Sequence, residues 1–364
     1  MTALRVAVIG HGKLGSIHAR LLNDSEDFEL TAVADPIVAN RKLASDTFNV
    51  ATTTDITELM SVFDCAIVAT PTFLHHQVAK TLLENGKHVF VEKPITATLD
   101  EARELVALAE ARGLILQVGH VVRFDHRFEA AKQFIRSPRL IECHRASGYT
   151  FRSMDVGVTL DLMIHDIDLV LSLVDSPVTA IQAVGTPVIG PHEDVAHARL
   201  TFENGALANL SASRASYQQV RNLQAAGSFG FVNVDFLKDS ITTVGVGESL
   251  RQLDMDPVTA TEAEKQDITA RFFTELLPRN TLTPTPCNAI AEEHKDFLMA
   301  ITSQSNPRVD GETGLKVLEI AKRISDLIQN EGSAEQIGIG GPHFNSSGSL
   351  AERNSIHRSG VRGL

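Results

Sequence analysis

The sequence feature that most constrains the fold is a glycine-rich turn, Gly10-His11-Gly12-Lys13-Leu14-Gly15, placed directly after the apolar run Leu4–Ile9. An unbroken apolar run that ends at glycine is typical of a strand that is buried on both faces. The residues that follow the turn have the pattern of a helix. In this setting Gly10 permits a tight turn, Gly12 lets a ligand approach the backbone, and Gly15 lets the helix pack closely on the strand.

The turn also predicts the chemistry of its ligand. The start of the helix offers unpaired backbone N–H groups and the positive end of a helix dipole, which suit phosphate. Asp35 lies 20 residues beyond Gly15, at the predicted end of a second strand, Phe28–Ala34. A carboxylate there accepts hydrogen bonds from a ribose diol and repels a 2′-phosphate. We therefore predict NAD rather than NADP as the cofactor, bound by Gly10, Gly12, Lys13, Leu14, Gly15 and Asp35.

Strands and helices alternate strictly over the first third of the chain. Further buried strands are predicted at Cys65–Ala69, Lys87–Val91 and Leu114–Val118, and a helical pattern precedes or follows each of them. Because parallel strands need a crossover connection, usually a helix, this alternation implies a parallel, doubly wound sheet of the α/β class.

The remainder of the chain has a different rhythm. Two turn signals, at residues 203–205 and 227–230, each separate two strand-like runs and predict antiparallel hairpins. Residues 331–364 are rich in Gly and Ser and lack periodicity, which predicts a disordered tail. We therefore divide the chain into a dinucleotide-binding domain with a doubly wound sheet, residues 1–123, and an α+β domain with a mainly antiparallel sheet, residues 124–330.

Composition narrows the function classes. A chain of 364 residues is expected to form two domains. Its formal charge of −12 argues against nucleic-acid binding and means that an anionic ligand needs local basic groups. No apolar run is long enough for a membrane span and no secretory leader is recognisable, so we expect a cytoplasmic protein that binds no membrane. The three cysteines, odd in number and far apart, predict neither a disulfide framework nor a zinc site.

Polar residues follow the buried strand that ends at Ala69. The segment Ala69-Thr70-Pro71-Thr72 lies at the carboxyl edge of the predicted sheet, where a doubly wound fold binds its ligand. His75 belongs to the first turn of the helix that follows. Thr70, Pro71 and His75 are therefore candidate cofactor contacts, and ordinary capping of that helix is the alternative interpretation.

The next buried strand ends in Val89-Phe90-Val91-Glu92-Lys93-Pro94. Pro94 favours an extended Lys93, whose side chain then enters the crevice. A lysine there can hydrogen-bond a substrate hydroxyl, and desolvation lowers its pKa towards proton transfer. Glu92 and Lys93 are both candidate cofactor contacts as well, and a structural ion pair between them is the alternative.

A stripe of polar residues interrupts the apolar segment Leu160–Val174. Asp161, His165, Asp168 and Ser172 are spaced by four, three and four residues, which places them on one face of a helix. A helix that is otherwise apolar is largely buried, so this face is expected to line a polar cavity in which His165 acts as acid or base. A structural His–Asp pair and a metal site made by three of these residues are the alternatives; we predict no metal, because no cluster of soft ligands accompanies them.

Taken together, the motifs resemble the family of glucose–fructose oxidoreductase and inositol dehydrogenase, the Gfo/Idh/MocA family. The motifs that carry the resemblance are Gly10–Gly15 with His18, 69–72, 92–94, Gly119-His120 with Arg123-Phe124, and Asp161-x-x-x-His165-x-x-Asp168. The resemblance implies an NAD-binding Rossmann domain followed by an α/β domain with an open, mainly antiparallel sheet. That sheet commonly mediates oligomers in the family, which here implies a homodimer or homotetramer. It also implies that Lys93, Asp161 and His165 are the catalytic residues, with Lys93 or His165 as the proton acceptor.

Within that family, the segments at 119–124, 151–156 and 160–168 are most similar to nucleotide-sugar 3-dehydrogenases. This similarity implies an NAD-dependent dehydrogenase that oxidises the 3-hydroxyl of a UDP-N-acetylhexosamine. Two alternatives stay open: a dehydrogenase of a free sugar or of a cyclitol such as inositol, and a regulator that senses NAD without chemistry. The candidate substrate contacts are His120, Arg123, Tyr149, Arg152 and Asp168, and Arg214 is a further source of positive charge.

Overall fold

The computed structural model describes residues 3–151, 153–253, 255–256 and 258–332. Six parallel strands form the first sheet, in the order β3-β2-β1-β4-β5-β6. The strands are β1 (Leu4–Ile9), β2 (Phe28–Ala34), β3 (Ala51–Thr53), β4 (Cys65–Val68), β5 (His88–Glu92) and β6 (Leu116–Gly119). The connecting helices are α1 (Lys13–Asn23), α2 (Val38–Phe48), α3 (Thr72–Glu84) and α4 (Leu99–Arg112), with 3-10 turns at Ile56–Leu59 and Val121–Phe124.

The strand order of this sheet fixes where a ligand can bind. The chain runs outwards from β1 through β2 to β3, and then returns to add β4, β5 and β6 on the other side of β1. The connections after β1 and β4 therefore leave the sheet on opposite sides and open a crevice between them at the carboxyl edge. The glycine turn follows β1 at this edge, and the segment that begins with Thr70 follows β4.

Eight strands form the second sheet, in the order β14-β13-β12-β11-β7-β10-β9-β8. All neighbouring pairs are antiparallel except β7 with β10. The strands are β7 (Leu140–Ala146), β8 (Val178–Thr186), β9 (Val195–Phe202), β10 (Leu207–Ser213), β11 (Val220–Gly227), β12 (Gly230–Asp235), β13 (Ser240–Gly245) and β14 (Arg279–Leu282). The helices are α5 (His126–Lys132), α6 (Ile164–Leu173), α7 (Glu248–Arg251), α8 (Glu262–Arg271), α9 (Ala289–Ser303) and α10 (Gly311–Gly332), with π-helical turns at Thr159–Met163 and Phe272–Leu276.

The two faces of the second sheet differ. Helices α6 and α10 cover one face and share an apolar core with it, to which Cys143, Leu210 and Ile167 belong. Among the described residues no helix covers the other face, which carries polar side chains such as Glu142 and Arg199. Both predicted hairpins are present, β9–β10 and β11–β12, and the mixed but mostly antiparallel sheet confirms the predicted fold class.

The C-terminal helices connect the two halves. Phe297 of α9 is fully buried in the core of the first sheet, where it packs with Val6, Val8 and Phe90. Helix α10 likewise contacts α4 as well as α6. The domain boundaries drawn from the sequence stay a prediction, and residues 333–364 of the predicted tail lie outside the described part of the chain. Within the described part, no helix is both long and apolar enough to cross a membrane.

Candidate active site

The glycine turn forms a cradle whose three glycines have three different surroundings. Gly10 has a φ of 89°, a conformation that favours glycine. A Cβ at Gly15 would lie 1.8 Å from the Gly10 carbonyl oxygen, so only glycine permits α1 to approach β1 this closely. A Cβ at Gly12, in contrast, would meet nothing within 4 Å. The space beside Gly12 and the uncapped N-terminus of α1 are what a pyrophosphate requires, and Lys13 and Leu14 form the exposed first turn of that helix.

Asp35 closes the cradle at the end of β2. Its carboxylate accepts hydrogen bonds from the backbone N–H groups of His11, at 2.7 Å, and Ile37, at 2.8 Å. Asn40 donates a third, at 3.2 Å. Arg41 is bound to the backbone carbonyls of Asp35 and Pro36, so it turns away from the carboxylate. Asp35 is therefore held rigidly at the predicted ribose position.

Buried polar atoms near the cradle lack partners. Both ring nitrogens of His11 and the hydroxyl of Thr70 have no hydrogen-bond partner among the described residues, although each is buried. A buried polar group without a partner costs about 1–3 kcal/mol. These atoms therefore fit a site that is completed by a polar ligand, and the residues present suit a dinucleotide.

His75 joins two backbone segments at the carboxyl edge of the sheet. Its Nδ1 lies 2.8 Å from the carbonyl oxygen of Pro94, and its Nε2 lies 2.9 Å from that of Thr70. Because both ring nitrogens face backbone carbonyls, His75 braces the segment after β4 against the segment after β5. Pro71 begins α3 as its N-cap residue. These two contacts favour a structural role for His75, as a bridge between the two segments, over direct contact with the cofactor.

Lys93 follows β5 and reaches across to the second half of the chain. Its Nζ donates a hydrogen bond to the backbone carbonyl of Asp161, at 2.8 Å, and lies 3.7 Å from the Asp161 carboxylate. Burial lowers the pKa of Lys93, and the carboxylates of Asp161 and Glu92 oppose that effect. The structure therefore brings two of the three predicted catalytic residues together.

The polar stripe divides into two parts, because Thr159–Met163 is a π-helical turn rather than the start of an α-helix. Asp161 contacts Lys93, and no hydrogen bond joins it to His165 within the described chain. Asp168 is fully buried and forms a paired interaction with Arg123, with distances of 3.0 and 2.5 Å. Ser172 donates to the backbone of its own helix. Asp168 and Ser172 therefore have partners within the protein, and the expectation that the whole stripe lines one cavity stays a prediction.

Arg123 and Asp168 satisfy each other while buried, so neither has charge to spare for a substrate. They lie beside His120, which follows β6, and both act on its pKa. Neither ring nitrogen of His120 has a hydrogen-bond partner in the described part of the chain, and the residue is only 1% exposed. Because Arg123 and Asp168 bind each other, His120 is the better candidate for contact with a ligand.

His165 has a buried Nδ1 that likewise lacks a partner among the described residues. Burial, and after it the positive charges of Lys93 and Arg145, hold the pKa of His165 well below its ordinary value of 6.5. Burial also lowers the pKa of His120. Both imidazoles are therefore neutral at neutral pH, and the charge of Lys93 lowers the pKa of each of them.

Glu92 is engaged in a buried chain of hydrogen bonds. One of its carboxylate oxygens lies 2.8 Å from Nε2 of His18, and Nδ1 of His18 lies 2.8 Å from Nε2 of His294 on α9. The other oxygen accepts the backbone N–H of Lys93 at 3.2 Å. These hydrogen bonds therefore anchor the segment that contains Lys93 to α1 and α9. The sequence interpretation of Glu92 did not include this role.

Arg145 is the main residue that the sequence interpretation missed. It lies on the covered face of β7, 3% exposed, and binds Asp166 of α6 at 2.9 and 2.6 Å. Its charge lowers the pKa of both Lys93 and His165. The signal was present in the alternation Ile141, Cys143, Arg145, which places an arginine where the pattern requires an apolar residue.

The remaining candidates for substrate contact are grouped in the loop after β7. The Tyr149 hydroxyl lies 2.8 Å from the Met154 sulfur, and the ring lies 5.9 Å from the Arg214 guanidinium. Arg214 is itself bound to Asp194 at 2.6 Å. These side chains hold the loop together, whereas Arg152 lies outside the described residues. Nowhere in the described ranges do three His, Cys, Asp or Glu side chains converge as a metal site.

A parallel sheet with a glycine cradle after its first strand is the fold of a protein that binds a dinucleotide. Comparison with known proteins agrees. Residues 4–120 match the sequence profile of an oxidoreductase family with an NAD-binding Rossmann fold, and residues 117–233 match the C-terminal domain of the same family. The chain belongs to the Gfo/Idh/MocA family, and its cofactor is NAD.

Several relatives have named activities. A UDP-N-acetylglucosamine 3-dehydrogenase from Acidithiobacillus ferrooxidans is 29% identical over 90% of this chain and 98% of its own length. A solved structure of a UDP-N-acetylglucosamine 3-dehydrogenase from the same organism is similar to this chain with a TM-score of 0.79 and 27% sequence identity. The similarity covers 91% of this chain and 99% of the chain in that structure. An inositol 2-dehydrogenase from Rhizobium meliloti is 24% identical over 87% of this chain and 94% of its own length.

Proposed function

We propose that this chain oxidises a secondary hydroxyl of a sugar and transfers the hydride to NAD, and that its substrate is a UDP-N-acetylhexosamine oxidised at the 3-hydroxyl. The observation that carries the proposal is a set of three side chains whose charges act on one another's pKa: Lys93 after β5, His120 after β6 and His165 on α6. Two of these groups are imidazoles with unpartnered nitrogens, which a substrate hydroxyl can satisfy. The similarity to a UDP-N-acetylglucosamine 3-dehydrogenase over nearly the whole chain supports the choice of substrate.

We assign the hydroxyl proton to Lys93. A general base works best when its pKa lies near the working pH. Burial moves the pKa of Lys93 down from 10.5 towards that range, whereas burial and neighbouring cations move the pKa of His165 away from it. The hydrogen bond to the carbonyl of Asp161 holds the amine in position. Asp161 is thus a positioning residue for Lys93.

Neutral His165 then has a complementary role. A neutral imidazole carries one N–H, which can donate a hydrogen bond to the substrate oxygen as negative charge develops on it. The cofactor supplies the hydride acceptor and no metal ligand set is needed for this chemistry. The protein's own part is to hold the hydroxyl between Lys93 and His165 and to remove its proton.

The substrate assignment is tested by incubating the protein with NAD and either UDP-N-acetylglucosamine or myo-inositol, and by following the absorbance of NADH. We expect NADH only with the nucleotide sugar. NADH formed only with inositol would favour the second candidate, a cyclitol dehydrogenase, which the similarity to inositol 2-dehydrogenases supports. Turnover of neither substrate would contradict both assignments.

The residue assignments are tested on whichever substrate is accepted. In the wild type, kcat/KM should rise with pH through an apparent pKa below 10.5, because Lys93 must be deprotonated. That limb should remain in His165→Asn, with a reduced rate, and activity should be lost in Lys93→Met. Lys80→Met is the matched control, because Lys80 is a half-exposed lysine paired with Glu104 on the surface. Wild-type turnover by Lys93→Met would refute the assignment.

We further propose that the chain forms a homodimer or homotetramer through the uncovered face of the second sheet. On that face, five adjacent strands from β8 at one edge to β11 line a shallow groove of about 800 Å³. Val184 is an apolar residue of this groove that is 59% exposed to solvent. A stable interface usually buries about 800 Å² of each partner, and a broad sheet face can supply that area.

A further inference from the structure

Two arginines lie side by side on the covered face of the second sheet, next to the proposed site. Arg145 on β7 and Arg221 on β11 are direct neighbours in the antiparallel pairing, so their side chains leave the sheet on the same face. Arg145 acts electrostatically on Lys93, and both arginines act on His165. The charges of the two guanidinium groups therefore act on the proposed reaction centre.

The two arginines differ in how their charge is balanced. Arg145 is matched by Asp166 through two hydrogen bonds. Arg127, which also acts on Arg221, is matched by Asp125 at 2.7 and 2.6 Å. The Arg221 guanidinium forms neither an ion pair nor a hydrogen bond with any residue that the structure describes. Its positive charge is thus the uncompensated one in this group.

The Arg221 side chain is exposed to solvent, unlike that of Arg145, which is only 3% exposed. Partial burial and the charge of Arg145 lower the pKa of Arg221, and the carboxylates of Asp166 and Asp125 oppose that effect. Arginine nevertheless stays charged in proteins at working pH. In a chain with a formal charge of −12, an exposed guanidinium without a protein partner, beside a second arginine, is a local positive site to which an anion can bind.

A small cavity of about 80 Å³ lies at these two arginines. Ser147 and Gln219 contribute polar side chains to its wall, and Leu162 and Leu237 contribute apolar ones. Neither the Ser147 hydroxyl nor the Gln219 amide has a side-chain hydrogen bond to another described residue. Leu162 follows Asp161 directly in sequence, so the cavity adjoins the segment that holds Lys93.

We propose that Arg221, with Ser147 and Gln219, forms a subsite for an anionic group carried by the substrate. The proposal rests on the function proposed above, in which a sugar hydroxyl lies between Lys93 and His165. A guanidinium binds phosphate or carboxylate oxygens through two parallel hydrogen bonds, and the hydroxyl and amide add neutral donors. The anion is either the diphosphate of a nucleotide sugar or the carboxylate of a sugar acid, and both have the same chemistry at Arg221.

Binding to the NADH-loaded protein distinguishes these sources. The probes are UDP, inorganic pyrophosphate, glucuronate and, as an uncharged control, glucose, each measured by isothermal titration calorimetry. For Arg221→Ala we expect the Kd of the recognised anion to rise about 10- to 100-fold, the loss of a charged hydrogen-bonding partner. Arg221→Lys should show a smaller rise, because it keeps the charge and loses the paired geometry. The affinity for NADH should not change.

Arg103→Ala is the matched control, because it removes the same charge from an exposed arginine on α4. A rise for UDP and pyrophosphate assigns the anion to the diphosphate, and a rise for glucuronate assigns it to a sugar carboxylate. If Arg221→Ala binds every anion as tightly as Arg103→Ala does, the subsite is refuted, even where UDP-N-acetylglucosamine is turned over. If glucuronate binding depends on Arg221 while no nucleotide sugar is oxidised, the subsite stands and the proposed substrate falls.

Discussion

The two glycines at the start of α1 should respond in opposite ways to the same substitution. Helix propensity alone favours alanine over glycine at position 15 by about 0.8–1 kcal/mol. The structure reverses that sign, because the new Cβ would lie 1.8 Å from the Gly10 carbonyl oxygen, well inside any real contact. Overpacking of this kind costs about 1–3 kcal/mol and sometimes more. The atoms that the new Cβ would meet first belong to the Gly10 backbone, which cannot move aside as a flexible side chain can. Gly15→Ala should therefore destabilise the fold at the upper end of that range.

Gly12→Ala should instead leave the fold nearly unchanged and weaken the cofactor. Its Cβ meets nothing within 4 Å and its φ of −74° suits alanine, so the free energy of unfolding should change by less than about 1 kcal/mol. The methyl group would occupy the space that a pyrophosphate needs. Loss of one hydrogen bond to a charged group, about 1.5–3 kcal/mol, corresponds to a Kd for NADH that rises about 10- to 150-fold.

Both effects can be measured directly. Urea unfolding followed by circular dichroism gives stability, and NADH fluorescence gives the Kd without energy transfer from tryptophan, which the chain lacks. Gly245→Ala is the control, because its Cβ also meets nothing within 4 Å and it lies in the second sheet. A wild-type Kd for Gly12→Ala, or wild-type stability for Gly15→Ala, would refute this account of the cradle.

Three further outcomes are expected. Asp35→Ala should lower the preference for NAD over NADP, measured as the ratio of kcat/KM values, and an unchanged ratio would contradict its role at the ribose. Burial holds the pKa values of His165 and His294 well below 6.5, so below that pH the unfolded chain binds protons that the folded chain excludes. The free energy of unfolding, measured with urea, should then decrease as the pH is lowered below 6.5, by up to about 1.4 kcal/mol per pH unit for each histidine. His165→Asn should make this pH dependence less steep. Val184→Glu should yield monomers in light scattering, whereas Val38→Glu, on α2, should not; retained oligomers would exclude the open face as the interface.

The sequence predicted the first sheet and its ligand edge well, because glycine turns and buried strands are local signals. It predicted the polar stripe less well. The π-helical turn at Thr159–Met163 breaks the α-helical spacing, so Asp161 reaches Lys93 instead of His165. Spacing within one segment carries no information about a turn that adds a residue to the hydrogen-bonding pattern.

Pairing across distant segments was also beyond the sequence. Arg123 and Asp168 both carry charge near the predicted crevice, which suggests ligand contact for each when they are considered separately. Only the fold shows that they neutralise each other while buried. Arg145 differs, since its place on the apolar face of β7 could have been read from the alternation alone.

The position of Phe297 has a consequence for the order of synthesis. Its ring packs against Phe90, with ring centres 6.1 Å apart, in the core of a sheet whose last strand ends at Gly119. The ribosome therefore makes all of the second sheet before it delivers the residue that completes the first. Domains usually fold as units from the N-terminus during translation. Here the cofactor-binding half must wait, with the apolar surface around Phe90 uncovered, until nearly the whole chain has emerged.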